Sequence, residues 1–261
     1  MKTSNKIIIG AILLATSVVF YIPISVIAKV NKSIAESGSF AFNEEKKLAS
    51  EFISDSSKIS NMVIGKGEIK NKIYNLEKPF SHIVVSGAAR LELTQKDNYS
   101  IELSDFENLL SYTEINIISD TLIINYNESA NIKNLKTTVK ISMPNLKSID
   151  CNNTKNEIKS IGNLDLDSLN LTVNGNTDFR IRGKVNNLFY TINGKSYAPL
   201  TKLICKNATY NISGFGIAET NVTDTMNLNV SGYGRIFQNK TPKNLYKNIS
   251  GSCEVNIHKT K

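Results

Sequence analysis

Asp165 and Asp167 stand at alternate positions, and Asp178, Arg180 and Arg182 follow close behind. Paired carboxylates with a cationic partner are what a polysaccharide-acting enzyme needs: one carboxyl donates a proton while another serves as base or nucleophile. On a strand, residues two apart share a face, so Asp165 could act with Asp167 and Arg180 with Arg182. Solvated strand positions have the same spacing, and ion pairs between neighbouring strands account for it equally. His82 and His258 are far apart on different segments, and neither reads as a general base. Cys151, Cys205 and Cys253 cannot all pair within one chain and lack metal-ligand spacing, so they read as small buried thiols. The sequence therefore assigns no catalytic, cofactor-binding or metal-ligating residue, and the expectation is a protein that is not an enzyme.

The elements that must carry these side chains announce themselves through glycine. Asn-Gly or Ser-Gly recurs at Gly175, Gly194, Gly214, Gly232 and Gly251, at intervals of 19, 20, 18 and 19 residues. Two residues before each glycine stand Val173, Ile192, Ile212, Val230 and Ile249. Four before stand Leu171, Tyr190, Tyr210 and Leu228, with Lys247 breaking the rule. Six before stand Leu169, Leu188, Ala208, Met226 and Leu245. Two after are Thr177, Ser196, Gly216, Gly234 and Cys253; four after are Phe179, Ala198, Ala218, Ile236 and Val255. Period-two alternation predicts strands with one buried face. A fixed period near 19 predicts a solenoid whose coils bury that face against their neighbours.

An antiparallel meander could repeat at the same interval. Its strands would alternate in direction, however, and like columns would not stack, so a parallel coil is favoured. The glycines then sit either at a bend with positive φ or where two backbones approach closely. Asn174, Asn193, Ser213, Ser231 and Ser250 should form an outward polar ladder. Phe215 and Tyr233, one residue after their glycines, should also point outward; they are candidate ligand contacts or ordinary surface aromatics.

The net charge of +8 comes from scattered lysines, two of which, Lys2 and Lys6, precede a hydrophobic run. Nucleic-acid binding calls for basic side chains clustered on one face, and none cluster here. Asparagine is abundant and creates eleven Asn-x-Ser/Thr sequons, including those at Asn152, Asn170, Asn207, Asn211 and Asn221, as an Asn-rich chain does by chance. Residues 7–28 carry no charge over 22 positions, enough for a hydrophobic helix that spans a bilayer or for a secretory signal with Val26-Ile27-Ala28 before the cut. Either way the remainder crosses a membrane, because the leading lysines favour a cytoplasmic N-terminus. Residues 29–62 are polar and read as a linker, with one short helix over 42–52. Residues 63–258 form the β domain. Within it 101–103, 112–118, 121–126 and 137–143 read as strands, with turns at Asp120 and over 131–134. The stretch Ile149-Asp150-Cys151-Asn152-Asn153 reads as a degenerate coil.

Phe80-Ser81-His82-Ile83-Val84-Val85-Ser86-Gly87 and Leu91-Glu92-Leu93-Thr94-Gln95 resemble the opening of the head GIN domain of autotransporter adhesins. Leu122-Ile123-Ile124 and the run from Val139 to Ile149 (VKISMPNLKSI) are similar to it too, as are the Ser-Gly repeats. The resemblance covers about three quarters of the chain. It implies an exported bacterial domain, all-β, with a right-handed parallel β-helix or β-roll core, and it supplies no catalytic residues. Two Asn-Gly corners, and no glycine near Asn153, depart from the usual glycine-rich turns.

The function expected is a non-enzymatic binding or adhesion module presented at the cell envelope, in the periplasm or at the surface. Its partners would be the membrane, through residues 7–28, and a protein or glycan ligand; self-association through a terminal coil is a further expectation, and nucleic acid is not one. A structural or regulatory envelope protein and a carbohydrate-acting enzyme are the alternatives.

Overall fold

Each glycine unit becomes one coil of two strands in a computed structural model that describes residues 62–258 apart from 76–77, 127–130 and 153–154. In the Gly175 coil a long strand, Leu164–Val173, turns at Asn174-Gly175 into a short one, Asn176–Arg180. The pattern repeats as Gly183–Ile192 with Lys195–Pro199, then Leu203–Ile212 with Phe215–Thr220. It continues as Val222–Val230 with Tyr233–Gln238 and ends as Asn244–Ile249 with Ser252–Ile257. Long strands pair parallel with long, and short with short. The columns match residue for residue, as in the series Leu171, Tyr190, Tyr210, Leu228, Lys247. The described residues form an all-β, mainly parallel solenoid, and the repeated coils are not a meander.

The inward columns fill the gap between the long-strand and short-strand sheets. Leu169, Leu171 and Val173 meet Thr177 and Phe179, all buried, and the next three coils repeat the scheme. The small residues after each glycine leave room for large ones across the core. Tyr190 packs edge-on against Phe179 at 5.7 Å and shares a hydrogen bond with Ser196, whose hydroxyl also bonds to the Thr177 carbonyl at 2.5 Å. The repeated glycines are needed for space, not for φ. A Cβ on Gly214 would lie 2.0 Å from the Gly194 oxygen, and one on Gly232 would lie 2.2 Å from the Gly214 oxygen. Positive φ among the glycines occurs instead at Gly67, Gly87, Gly162 and Gly183.

Three more layers continue the stack below the Gly175 coil. First comes Ser148–Asn152 with Lys155–Ser160, then His82–Ser86 with Arg90–Gln95, then Thr121–Tyr126 with Thr138–Met143. Spatial order departs from chain order here, because residues 96–147 leave the second of these layers, build the third beneath it and cross back. Antiparallel strands close this end: Thr113–Ile118 on Thr121–Tyr126, Ser100–Phe106 on Thr138–Met143, and Ile69–Tyr74 on Ser100–Phe106. The buried carboxylate of Asp105 ties the cap together, accepting from the Phe106 and Lys136 amides and, at 2.5 Å, from the Thr137 hydroxyl.

All four predicted strands of this region are present, and residues 107–112 form a 3-10 turn. Asn131–Lys133, expected as part of a turn, is instead a short strand paired with Met62–Ile64. That pairing moves Met62 out of the linker, since its backbone needs the partner strand. The hydrophobic segment 7–28, the rest of the linker and the helix expected over 42–52 lie outside the described residues. Among the described residues no helix is long and apolar enough to cross a membrane.

The opposite end carries no cap among the described residues. The Gly251 coil exposes its inward columns: Leu245, Cys253 and Val255 are half-covered and Ile249 is 39 % exposed. Lys247 occupies the column that Leu171, Tyr190, Tyr210 and Leu228 fill with buried side chains. An inward-pointing charge is one way a sheet edge is blunted against pairing with another chain.

Candidate functional site

The carboxylates and arginines singled out in the sequence do not converge. Asp165 and Asp167 project from the long-strand sheet; Asp178 and Arg180 belong to the short-strand sheet on the far side of the core. Asp167 accepts from the Asn186 amide at 3.0 Å, and the backbone of Asp165 is held by the Gln95 amide. Arg180 pairs with Glu157, which also binds Arg90 at 3.0 Å. Arg182 donates its backbone N–H to Ser160. The side chains of Asp167 and Arg180 are thus engaged by neighbouring coils, and Asp165 and Arg182 are held through their backbones.

One constellation that the sequence hid is assembled from three layers. His82 Nδ1 lies 2.7 Å from Ser148 Oγ, and its Nε2 lies 3.5 Å from Asp120 Oδ2. The residue types are those of an acyl-transfer triad, but the setting is not. Ser148 is buried, and the Lys147 and Ser148 amides, the donors nearest for an oxyanion, both donate to the Ser81 carbonyl instead. The group clamps the strands beginning at His82 and Ser148 to the turn at Asp120. His258 sits at the other end of the stack, with its amide on the Gln238 carbonyl. Cys151 and Cys205 are buried, and burial pushes both thiols up to about 12; Cys253 is partly exposed. Among the described residues no group of His, Cys, Asp or Glu could hold a metal ion.

The outer surface of the long-strand sheet has a different character. Its outward columns lie one, three, five and seven residues before each glycine, giving twenty positions over five coils. Ten are Asn, four Ser, four Thr, and the remaining two are Phe189 and Tyr246. None is charged, in a chain of which 21 % is charged. Charges return beyond the bend in each strand, at Asp165, Asp167, Lys184, Lys206, Asp224 and Lys243.

Within columns the side chains bond coil to coil, with the later coil donating. Asn174 donates to Asn152 at 2.9 Å, Asn193 to Asn174 at 2.8 Å and Ser213 to Asn193 at 2.8 Å. In the next columns Asn229 donates to Asn211 at 2.8 Å and Asn207 to Asn187 at 3.1 Å. The expected ladder beside the glycines is thus one of several. A shallow groove of about 210 Å³ runs between the column of Asn211, Asn229 and Asn248 and that of Asn193, Ser213, Ser231 and Ser250.

Phe215 and Tyr233 lie around the corner, on the short-strand side. Their rings stack on each other at 4.9 Å and 8°, with Lys195 5.8 Å from the Phe215 ring and Arg235 6.0 Å from that of Tyr233. Ring faces are therefore engaged along the stack. Phe189, 46 % exposed, and Tyr246, 60 % exposed, were not singled out in the sequence. Both fall five residues before a glycine, so the same column alignment would have placed them outward.

The sequence model of the family described as "Putative auto-transporter adhesin, head GIN domain" matches residues 79–242. The chain belongs to this family. Among solved structures, the head GIN domain here is similar to a "putative adhesin" from Bacteroides fragilis, with TM-score 0.62 and 16 % identity over 75 % of this chain and all of that one. A "putative lipid binding protein" from Parabacteroides distasonis aligns over 76 % of this chain and all of that one, at 18 % identity and TM-score 0.47. The first likeness is one of fold alone. No protein of curated function matches the chain.

Proposed function

We propose that this head GIN domain is a non-enzymatic binding module, exported and presented at the cell envelope, with residues 7–28 as either a cleaved signal or a membrane anchor. The observation that carries the reading is the charge-free part of the long-strand sheet's outer face, the twenty outward positions nearest the glycines. Polar side chains there are aligned by the fold, yet no carboxylate, histidine, cysteine, lysine or arginine stands among them to activate a hydroxyl. The family's adhesin description supports export. The coil is right-handed in this reading, as parallel crossovers nearly always are.

The test is fractionation of cells expressing the full chain with a C-terminal tag, followed by external protease. Tag recovered in the envelope or periplasm, or shaved from intact cells, supports export. A full-length tag confined to the cytosol refutes it. The non-enzymatic part is tested by changing Asp165, Asp167, Arg180 and Arg182 together to Ala; loss of a glycan-cleaving activity that the parent possesses would overturn it.

A further inference from the structure

We infer that the charge-free face is a binding site for a neutral glycan chain lying along the solenoid axis; this deepens the binding-module reading and rests on it. The chemistry of the face narrows its partner by elimination. A polyanion such as a sulfated or uronate polymer is recognised by guanidinium and ammonium groups, and none of the twenty positions supplies one. A cation needs carboxylates, which are equally absent. A lipid or apolar protein patch needs continuous apolar area, and here two rings stand apart in a polar field.

A ligand with many neutral donors and acceptors and with apolar C–H faces remains, which is a sugar. Asn174 and Asn193 each spend one N–H and one carbonyl lone pair on their neighbours, Asn229 and Asn207 an N–H, and Asn211 and Asn187 a lone pair. Each of these amides therefore keeps at least one N–H and one carbonyl lone pair for a ligand on this exposed face. The hydroxyls of Thr172, Thr191, Thr209 and Thr225 add further donor–acceptor groups on the same surface.

The two aromatic side chains set the direction and the length. Phe189, Thr209, Asn227 and Tyr246 are successive members of one column. Three coil steps of about 4.8 Å put the rings about 14 Å apart, which is roughly three pyranose units. Both rings are largely exposed, and neither stacks on another aromatic side chain among the described residues, unlike those of Phe215 and Tyr233. The groove between the Asn211 and Ser213 columns runs parallel to this line and spans the coils from Asn193 to Ser250. A chain docked along the axis thus meets a ring at each end, with hydroxyl-matching groups between and beside them.

The experiment is calorimetric titration of the full-length protein with linear oligomers of glucose, mannose and N-acetylglucosamine, two to six units long. Sulfated and uronate oligomers of the same lengths form the anionic arm. The expected result is binding to a neutral oligomer that strengthens up to about four units, levels off, and changes little with salt. Phe189→Ala with Tyr246→Ala should weaken it roughly tenfold or more, as loss of aromatic anchors does, without moving the melting temperature. Asn229→Lys, which leaves both rings in place, should weaken it too. Glu92→Gln with Lys159→Gln, on the far sheet, should not.

Three results overturn the inference: no neutral oligomer binding at millimolar concentration, the double aromatic variant binding like the parent, or anionic oligomers binding more tightly with a steep salt dependence. Fractionation separates the two readings. An envelope protein that binds no neutral oligomer loses the glycan inference alone, whereas a cytosolic chain loses the export reading whatever it binds.

Discussion

Gly214→Ala should cost far more than a methyl group on a surface turn ordinarily does. The new Cβ would lie 2.0 Å from the Gly194 oxygen and 2.7 Å from the Asn193 oxygen, against a normal carbon contact of about 3.5 Å. Neither neighbour can turn aside, because both atoms are backbone. The Gly194 oxygen already accepts from the Phe215 amide at 2.8 Å, and Gly214 donates to the Ile192 oxygen at 3.0 Å. Opening the corner by about 1 Å therefore weakens two hydrogen bonds, each worth about 1 kcal/mol net. Strain from overpacking adds about 1–3 kcal/mol, so the expected loss is about 3–5 kcal/mol. That is a large share of a typical 5–15 kcal/mol stability.

Urea unfolding followed by circular dichroism measures the loss, and Gly162→Ala provides the contrast. At Gly162 φ is +89° and a Cβ would meet nothing within 4 Å, so only the left-handed backbone penalty of about 1–2 kcal/mol applies. Because coils are coupled only to neighbours, the Gly214 variant should also unfold less cooperatively. A Gly214→Ala protein within 1 kcal/mol of the parent, or less affected than Gly162→Ala, would refute the close-approach account.

Other consequences can be tested separately. Lys247→Leu should remove the charge that guards the open end and let two copies associate there, read as a concentration-dependent rise in sedimentation coefficient; a variant that stays monomeric would remove that role. Tyr190→Phe should cost about 1–2 kcal/mol, because Ser196 loses its core partner while keeping the Thr177 carbonyl. Cys151 and Cys205, raised by burial from 9.0 to about 12, hold protons that the unfolded chain releases above pH 9. Their stability contribution is complete below pH 9 and falls by about 1.4 kcal/mol per pH unit for each thiol between pH 9 and 12, so equal urea midpoints at pH 8 and 10.5 would contradict it. Asn211→Lys with Asn229→Glu should keep the melting temperature, since a coil-to-coil ion pair replaces the amide bond, while weakening glycan binding.

The repeat was legible because parallel stacking sets each column against itself. A residue type that suits one coil suits the next, so Val173, Ile192, Ile212, Val230 and Ile249 carry the fold in plain view. Lys247 was visible as an exception, but its meaning waited on knowing that no coil follows it among the described residues. The cap was less legible. Ser100–Phe106 alternates like any half-buried strand, and alternation does not say whether a partner runs parallel or antiparallel. His82, Asp120 and Ser148 meet only because residues 96–147 loop beneath their own starting layer, a topology with no local signal. Phe189 and Tyr246 were hidden differently: the eye follows columns that repeat, and these rings interrupt one that otherwise holds Asn170, Thr209 and Asn227.

The two outer surfaces face the same packing problem and answer it differently. On the short-strand sheet and its continuation, neighbouring layers are joined by charges: Glu102 with Lys140, Glu92 with Lys159, Arg90 and Arg180 with Glu157, Arg235 with Glu254. On the charge-free part of the long-strand sheet, amides and hydroxyls join the coils over the same spacing, and an ion pair of Lys243 with Asp224 lies beyond it. An exposed ion pair is worth about 0–1 kcal/mol and a neutral hydrogen bond about 0.5–1.5 kcal/mol, so stability alone gives little reason to prefer one for an entire face. Solubility argues for charge on both. A face that excludes charge at twenty consecutive lattice positions, beside one that uses charge freely, is therefore not explained by folding. What charge would disturb there is contact with something neutral, and the two exposed rings in that field mark where such contact would be anchored.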